Sequence, residues 1–197
     1  YVIISSAIDE NNEELIAAKE ARLPIMKRGA LLAHLTQHAE CIAVAGAHGK
    51  TSISSMVALL LAQTDHNPSY VIGGCLNQGG IHAHLGQNPF VVEADESDGS
   101  HLLLKPNIAI VANIDDDHLG HYQDSQDCIK QSFIDFLKGT PEDALIIWCA
   151  EDAVLADLTR GIKRTQINYG FSSGAMIRAA DYRVSGSGCT FNLMAPD

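Results

Sequence analysis

The chain has 197 residues, enough for one domain of good size or for one domain with part of another. Hydrophobic residues make up 46% and charged residues 19%, a balance that supports a packed core and excludes a disordered chain. With 13 Lys+Arg against 24 Asp+Glu, the formal net charge of −11 argues against nucleic acid or an anionic membrane surface as the main partner.

That charge does not exclude an anionic small ligand, because backbone N–H groups and a metal ion can supply local positive potential. No run approaches the roughly 18 apolar residues of a bilayer span, and no basic-then-apolar leader opens the sequence. Cys41, Cys75, Cys128, Cys149 and Cys189 are odd in number and lack a CxxC pair. This pattern favours reduced thiols in a cytoplasmic protein, and three of the five lie in or beside apolar runs, where they are expected as small buried hydrophobes.

Val2-Ile3-Ile4 predicts one short buried strand, ended by Ser5-Ser6. A helix is expected from Glu13 to Arg22, stopped by Pro24, and another from Gly29 to Gln37. From Cys41 onward the pattern becomes strand, loop, helix. Strands are expected at Ile42–Ala45, Phe90–Glu93, Ile108–Asn113 and Ala144–Cys149, with helices over Lys50–Gln63 and Ser125–Leu137. Short, nearly continuous apolar strands between helices predict a mostly parallel α/β sheet covered on both faces. The alternating, Gly- and Ser-containing stretch Ile177–Leu193 predicts antiparallel strands at its edge. In such sheets ligands bind at the carboxyl ends of the strands. Three polar segments fall there: Gly46–Thr51, Glu93–Asp98 and Asn113–His118.

Gly46-Ala47-His48-Gly49-Lys50-Thr51 follows a strand and opens a helix. Glycines let the backbone curl around a phosphate, successive N–H groups point inward, and the helix start adds partial positive charge. Lys50 is expected to reach the terminal phosphates and the Thr51 hydroxyl to bind Mg²⁺. The loop is a shortened variant, since Val44 or Ala45 stands where the usual pattern has its first glycine. A Gly-x-x-Gly-Lys-[Ser/Thr] string arises by chance in about one such chain in a hundred. The strand before it and the helix after it therefore decide for a phosphate loop over an ordinary glycine turn.

Glu93-Ala94-Asp95-Glu96-Ser97-Asp98 carries four carboxylates in six residues, which repel one another and need a cation or solvent. Beside a phosphate loop the cation reading wins, because nucleotide-bound Mg²⁺ is held by one or two carboxylates plus phosphate oxygens. Glu93 is the first choice of ligand and Glu96 the second. Asn113-Ile114-Asp115-Asp116-Asp117-His118 ends the next strand similarly. His118, more often structural when met alone, is expected here to hold a second divalent ion or orient a substrate, with Asp117 steadying its ring. His82 and His84 have no Cys or third ligand at a metal-binding spacing and read as loop residues, and His34, His38, His66, His101 and His121 carry no signal of their own.

Together these segments resemble the Mur ligases, which build the peptide stem of bacterial cell-wall precursors. Ala45–Thr51 is similar to that family's short phosphate loop, Glu93–Asp98 to the acidic motif of its L-alanine-adding members, and Asn113–His118 with Tyr122 to its second metal segment. Ser5–Ile8, Asn12–Glu14, Gly73-Gly74 and His82-Ala83-x-Leu85-Gly86 fit the same members, so the resemblance runs across nearly the whole chain. Departures are Ala47 in place of Thr, Ser52 in place of a further Thr, Gly120 and His121 in place of Asp and Thr, and Glu13 in place of proline.

The resemblance implies ATP and Mg²⁺ as cofactors, UDP-N-acetylmuramate and L-alanine as substrates, and an acyl phosphate as intermediate. It implies nucleotide contacts from Gly46, Ala47, His48, Gly49, Lys50, Thr51, Ser52 and Asn113, catalytic roles for Lys50 and His118, and metal contacts from Thr51, Glu93 and His118. It also implies a division into residues 1–38, the end of a uridine-nucleotide domain with its linker, and residues 39–197, an incomplete central ATP-binding domain. A third domain is expected to be missing, and the chain alone is expected not to ligate. A recycling ligase that adds a whole tripeptide is the alternative within the family; its acidic motif tends to carry Tyr where this chain has Ser97. A regulatory nucleotide-binding module has no need of His118 and its acidic neighbours at the same rim. A dinucleotide binder lacks its G-x-G-x-x-G and leaves Lys50 unexplained.

Overall fold

The computed structural model describes residues 1–76, 81–115 and 126–196. The chain opens with strand β1 (Val2–Ile4), helix α1 (Glu13–Glu20), strand β2 (Ile25–Lys27) and helix α2 (Arg28–Thr36). Asn12 starts α1 because its side-chain oxygen accepts the Leu15 N–H at 3.0 Å, and Glu13 and Glu14 place negative charge in the first turn. The helix buries Leu15 and Ala18. β1 and β2 pair in parallel as a separate two-stranded sheet, in register Val2↔Ile25. The expectation of a buried first strand is corrected here: Ile3 is 41% exposed, since a two-stranded sheet has no second layer over its outer face.

The rest is built on one nine-stranded sheet. Its strands are β3 (Cys41–Ala45), β4 (Pro68–Leu76), β5 (Ile81–His84), β6 (Gln87–Glu93), β7 (Ile108–Val111), β8 (Leu145–Cys149), β9 (Thr165–Gly170), β10 (Ile177–Ser185) and β11 (Gly188–Met194). The order is β11-β10-β9-β8-β7-β3-β6-β4-β5. Seven strands run parallel through the middle, while β5 and β11 add antiparallel to the two edges. Helices α3 (Lys50–Ala62), α4 (Gln126–Gly139) and α5 (Ala153–Thr159) are the crossovers. This is the α/β architecture that the apolar runs predict, including the antiparallel pair over 177–194.

Strand β3 explains why both faces are dry. Its five residues are all buried, and their period of two sends Cys41, Ala43 and Ala45 into one core and Ile42 and Val44 into the other. The first core is closed by Ile129, Phe133, Phe136 and Leu137 of α4 with Leu155 and Leu158 of α5. The second is closed by Ala58 of α3, with Ile53, Val57 and Leu61 packed beside it. β3 is also where the chain changes direction across the sheet, for β6 lies on one side of it and β7 on the other. Such a reversal opens a crevice at the carboxyl ends of the strands.

Five elements go beyond the expected set, among them the four-residue β5. β2 and α5 are short, β9 is polar, and β4 is interrupted by Gly73-Gly74, so none has the length or period that marks an element in sequence. Only Cys41 is a buried cysteine, its thiol pushed up to about 12 by burial. Cys75, Cys128 and Cys189 are exposed and Cys149 is half-buried, so the expected burial of three is corrected; an apolar neighbour in sequence does not decide which way a strand residue faces.

Candidate active site

The three rim segments meet around the start of α3. Gly46 and Gly49 hold left-handed backbone, with φ of 131° and 81°. A Cβ on Gly46 would stand 2.9 Å from the Asn113 carbonyl oxygen, so only glycine lets β7 approach the loop this closely. Asn113 uses that proximity. Its Oδ1 accepts the His48 N–H at 2.8 Å, its Nδ2 donates to the His48 carbonyl at 3.0 Å, and its own carbonyl accepts the Ala47 N–H at 3.3 Å. The residue expected to touch nucleotide is thus seen clamping the loop.

The loop feeds into α3, whose first residues are Lys50 and Thr51. The Lys50 ammonium donates to the Gly46 carbonyl at 2.7 Å and to both Glu96 oxygens at 2.7 and 2.9 Å. Glu96 is 3% exposed, the most enclosed carboxylate of its segment. The structure therefore sets the second-choice metal ligand on the lysine rather than beside Thr51. Ser52 stands exposed in the first turn of the helix.

Thr51 Oγ1 lies 3.1 Å from Glu93 Oε2. The pair follows from topology: β6 neighbours β3, and Glu93 is the last residue of β6, in register with Val44. Two further donors fix the carboxylate. Ser54 Oγ donates to Oε1 at 3.2 Å, and the Gly73 N–H donates to the same oxygen at 2.6 Å. A hydroxyl and an anchored carboxylate beside a phosphate loop are the hard oxygen donors a magnesium ion takes alongside phosphate oxygens. Sequence reasoning missed Ser54; it lies one turn beyond Thr51 on the same face of α3, a spacing that could have suggested it.

Around this centre the acidic segment is internally tied. Asp95 accepts the Ser97 N–H and hydroxyl at 3.0 and 2.7 Å and faces Arg28 at 3.5 Å. For Asp98, burial pushes the carboxyl up, but hydrogen bonds from Ser100 and Ser6 and the Arg28 charge outweigh it and hold it below the usual range. His101, without a signal in sequence, underpins this segment. It is fully buried against Phe133 and Phe136, its Nε2 lies 2.9 Å from Ser132 Oγ, and its backbone N–H donates to the Asp95 carbonyl at 3.0 Å. Burial drives its pKa down to about 4, so it is neutral.

On the other flank, His48 Nε2 stands 3.6 Å from Asp115 Oδ2, both side chains exposed. Asp116, Asp117 and His118, with Gly120, His121 and Tyr122, lie outside the described residues. Among the described residues no group of three or more His, Cys, Asp or Glu forms a metal cluster. His82 and His84 prove to be on β5, not in a loop, and antiparallel pairing brings Cys75 Sγ to 3.0 Å from His82 Nε2. Among the described residues no third ligand joins this pair to make a metal site.

Two cavities border the rim. One of about 320 Å³ reaches Glu93 and Asp95 and is walled by Leu31, Leu32 and Leu35 of α2. The other, about 930 Å³, lies between the Ser5-Ser6 turn, Lys27-Arg28 and Ser97–Ser100.

Comparison with known proteins agrees with this geometry. Residues 44–197 match the Mur ligase middle domain model. The UDP-N-acetylmuramate–L-alanine ligase of Coxiella burnetii is 42% identical over 195 residues, which cover 98% of this chain and 42% of the relative. The chain thus spans about 42% of the length of the curated relatives it matches. Among solved structures, UDP-N-acetylmuramate-alanine ligase from Thermotoga maritima superposes with a TM-score of 0.87 at 25% identity, covering 98% of this chain and 44% of that one. UDP-N-acetylmuramate:L-alanyl-gamma-D-glutamyl-meso-diaminopimelate ligase from Neisseria meningitides shares the fold, with a TM-score of 0.84 at 24% identity over 98% of this chain and 64% of that one. A family model that matches residues 44–197, on a phosphate loop built as described, establishes that the chain belongs to the Mur ligase family.

Proposed function

We propose that this chain is the ATP-binding part of a ligase that joins L-alanine to the carboxylate of UDP-N-acetylmuramate. The observation that carries the reading is the convergence of Lys50, Thr51 and Glu93 at the rim of β3 and β6. The 42% identity to an L-alanine-adding ligase supports the choice of substrates.

In this reading a carboxylate oxygen of the muramyl nucleotide attacks the γ-phosphorus of ATP. The new O–P bond forms as the β–γ bridging bond breaks, and ADP leaves. The amine of L-alanine then attacks the acyl carbon, phosphate departs, and an amide remains. Phosphoryl transfer asks the protein for positioning and charge neutralisation more than for covalent groups. Lys50 offsets charge on the transferred phosphoryl. Thr51 and Glu93 would hold Mg²⁺, which supplies neutralisation of phosphate charge when bound. Asn113 keeps the loop's N–H groups aimed by holding His48. His118 is proposed to help hold a second divalent ion.

Residues 1–38 are proposed to close a uridine-nucleotide domain, with residues 39–197 as the ATP-binding unit and the cytoplasm as the place of work. In the complete protein, Lys50→Ala should abolish ADP release that depends on UDP-N-acetylmuramate and L-alanine, while leaving the fold intact. Undiminished turnover in that variant removes the assignment. Turnover with a tripeptide but not with L-alanine moves the protein to the recycling ligases.

A further inference from the structure

An ammonium carries three protons, and oxygens of the protein already engage all of those on Lys50. Two Glu96 oxygens and the Gly46 carbonyl lie within 2.9 Å of Nζ, and the Ala47 carbonyl at 3.4 Å. The pair is enclosed, with the lysine side chain 15% exposed and the glutamate 3%. A phosphate oxygen therefore reaches Lys50 only by displacing a loop carbonyl or a Glu96 oxygen. Whichever it displaces, it arrives as a second anion beside a buried carboxylate, where like charges are weakly screened.

We propose that Glu96 is a positioning residue that competes with the nucleotide for Lys50, holding the lysine over its own loop and setting how tightly the triphosphate is gripped. The proposal rests on the ATP reading of that loop. Without the carboxylate, a largely buried ammonium would have, among the described residues, only carbonyls against it and would drift toward solvent. With it, the lysine is in place, and the terminal phosphate is bound less tightly than Lys50 alone would allow. The weakening grows with the negative charge placed next to Lys50, so it is largest for ATP, smaller for ADP and absent for AMP.

The test is calorimetric titration of the complete protein with ATP, ADP and AMP in the presence of Mg²⁺, comparing wild type, Lys50→Ala, Glu96→Gln and Glu96→Asp. Glu96→Gln should tighten ATP binding about tenfold, the scale of one modest charge repulsion, tighten ADP less and leave AMP unchanged. Its Tm without nucleotide should fall, and saturating ATP should raise that Tm by more than in wild type. Glu96→Asp, which keeps the charge, should stay near wild type and serves if the Gln variant does not fold. ATP binding that is unchanged or weaker in Glu96→Gln, with Lys50-dependent binding intact in wild type, overturns this proposal alone. Wild type without Lys50-dependent ATP binding overturns the ATP reading and this proposal with it.

Discussion

Asn113 and His48 are locked together through both polar atoms of one side-chain amide, 65 residues apart in sequence. The amide oxygen takes the His48 N–H and the amide nitrogen gives to the His48 carbonyl, at 2.8 and 3.0 Å. A loop of two left-handed glycines has little stiffness of its own, so the strand beside it supplies the shape. Cradling a phosphate depends on N–H groups being aimed before the ligand arrives.

Asn113→Ala should therefore weaken nucleotide binding, because the loop must then be ordered as the ligand arrives. Two hydrogen bonds are lost, each worth about 1 kcal/mol, so the Kd for ATP should rise about tenfold or more. Calorimetry beside a urea melt separates this loss of affinity from any loss of fold stability. An equal loss of fold stability, with affinity intact, speaks against the clamp.

Gly46→Ala should abolish ATP binding while the protein remains folded. The added methyl meets the Asn113 carbonyl oxygen at 2.9 Å on a backbone with φ of 131°, and relief requires the loop to leave β7. Gly174→Ala, which meets nothing within 4 Å, is the matched control. Circular dichroism and nucleotide titration of both variants give the comparison.

Glu93→Gln should raise the Mg²⁺ concentration needed for half-maximal activity about tenfold or more, since it replaces a carboxylate anchored by Thr51, Ser54 and Gly73 with a neutral amide. The check is a Mg²⁺ titration at saturating ATP in the complete protein. An unshifted Mg²⁺ requirement removes Glu93 from the metal site.

His101 should make the fold sensitive to mild acid. Its pKa falls from 6.5 to about 4 on burial, so between those values the unfolded chain binds a proton that the folded chain refuses. Stability is intact above pH 6.5 and drains away as pH falls toward 4, by about 3 kcal/mol at 1.36 kcal/mol per pH unit. His101→Gln, which lacks the titration, should show a flatter acid limb in urea melts from pH 7 to 4. Parallel acid limbs contradict this assignment.

The parts legible in sequence are those whose chemistry is local. Gly46 to Thr51 declares itself because glycines, a lysine and a hydroxyl must be contiguous to wrap a phosphate. Glu93 is legible because an acid at the end of an apolar strand lands on the rim of a parallel sheet. What escaped is made by tertiary contact. Glu96 meets Lys50 across 46 residues, and Gly73 reaches Glu93 only because β4 and β6 are neighbours. Cys75 meets His82 only because β4 and β5 pair antiparallel. His101 resembles any other histidine until Phe133 and Phe136 close over it. Periodicity found the long central elements and missed the short or polar ones, since β2 and α5 are held by their neighbours rather than by their own pattern.

The central claim, that a carboxylate is phosphorylated at the Lys50 rim, is tested most directly by an isotope. UDP-N-acetylmuramate labelled with ¹⁸O in its carboxylate is turned over by the complete protein with ATP and L-alanine, and the released phosphate is weighed by mass spectrometry. The account predicts that the phosphate carries ¹⁸O from the carboxylate, and that Lys50→Ala releases none. Unlabelled phosphate accompanying amide formation would contradict it, because the carboxylate oxygen would then never have been bonded to phosphorus.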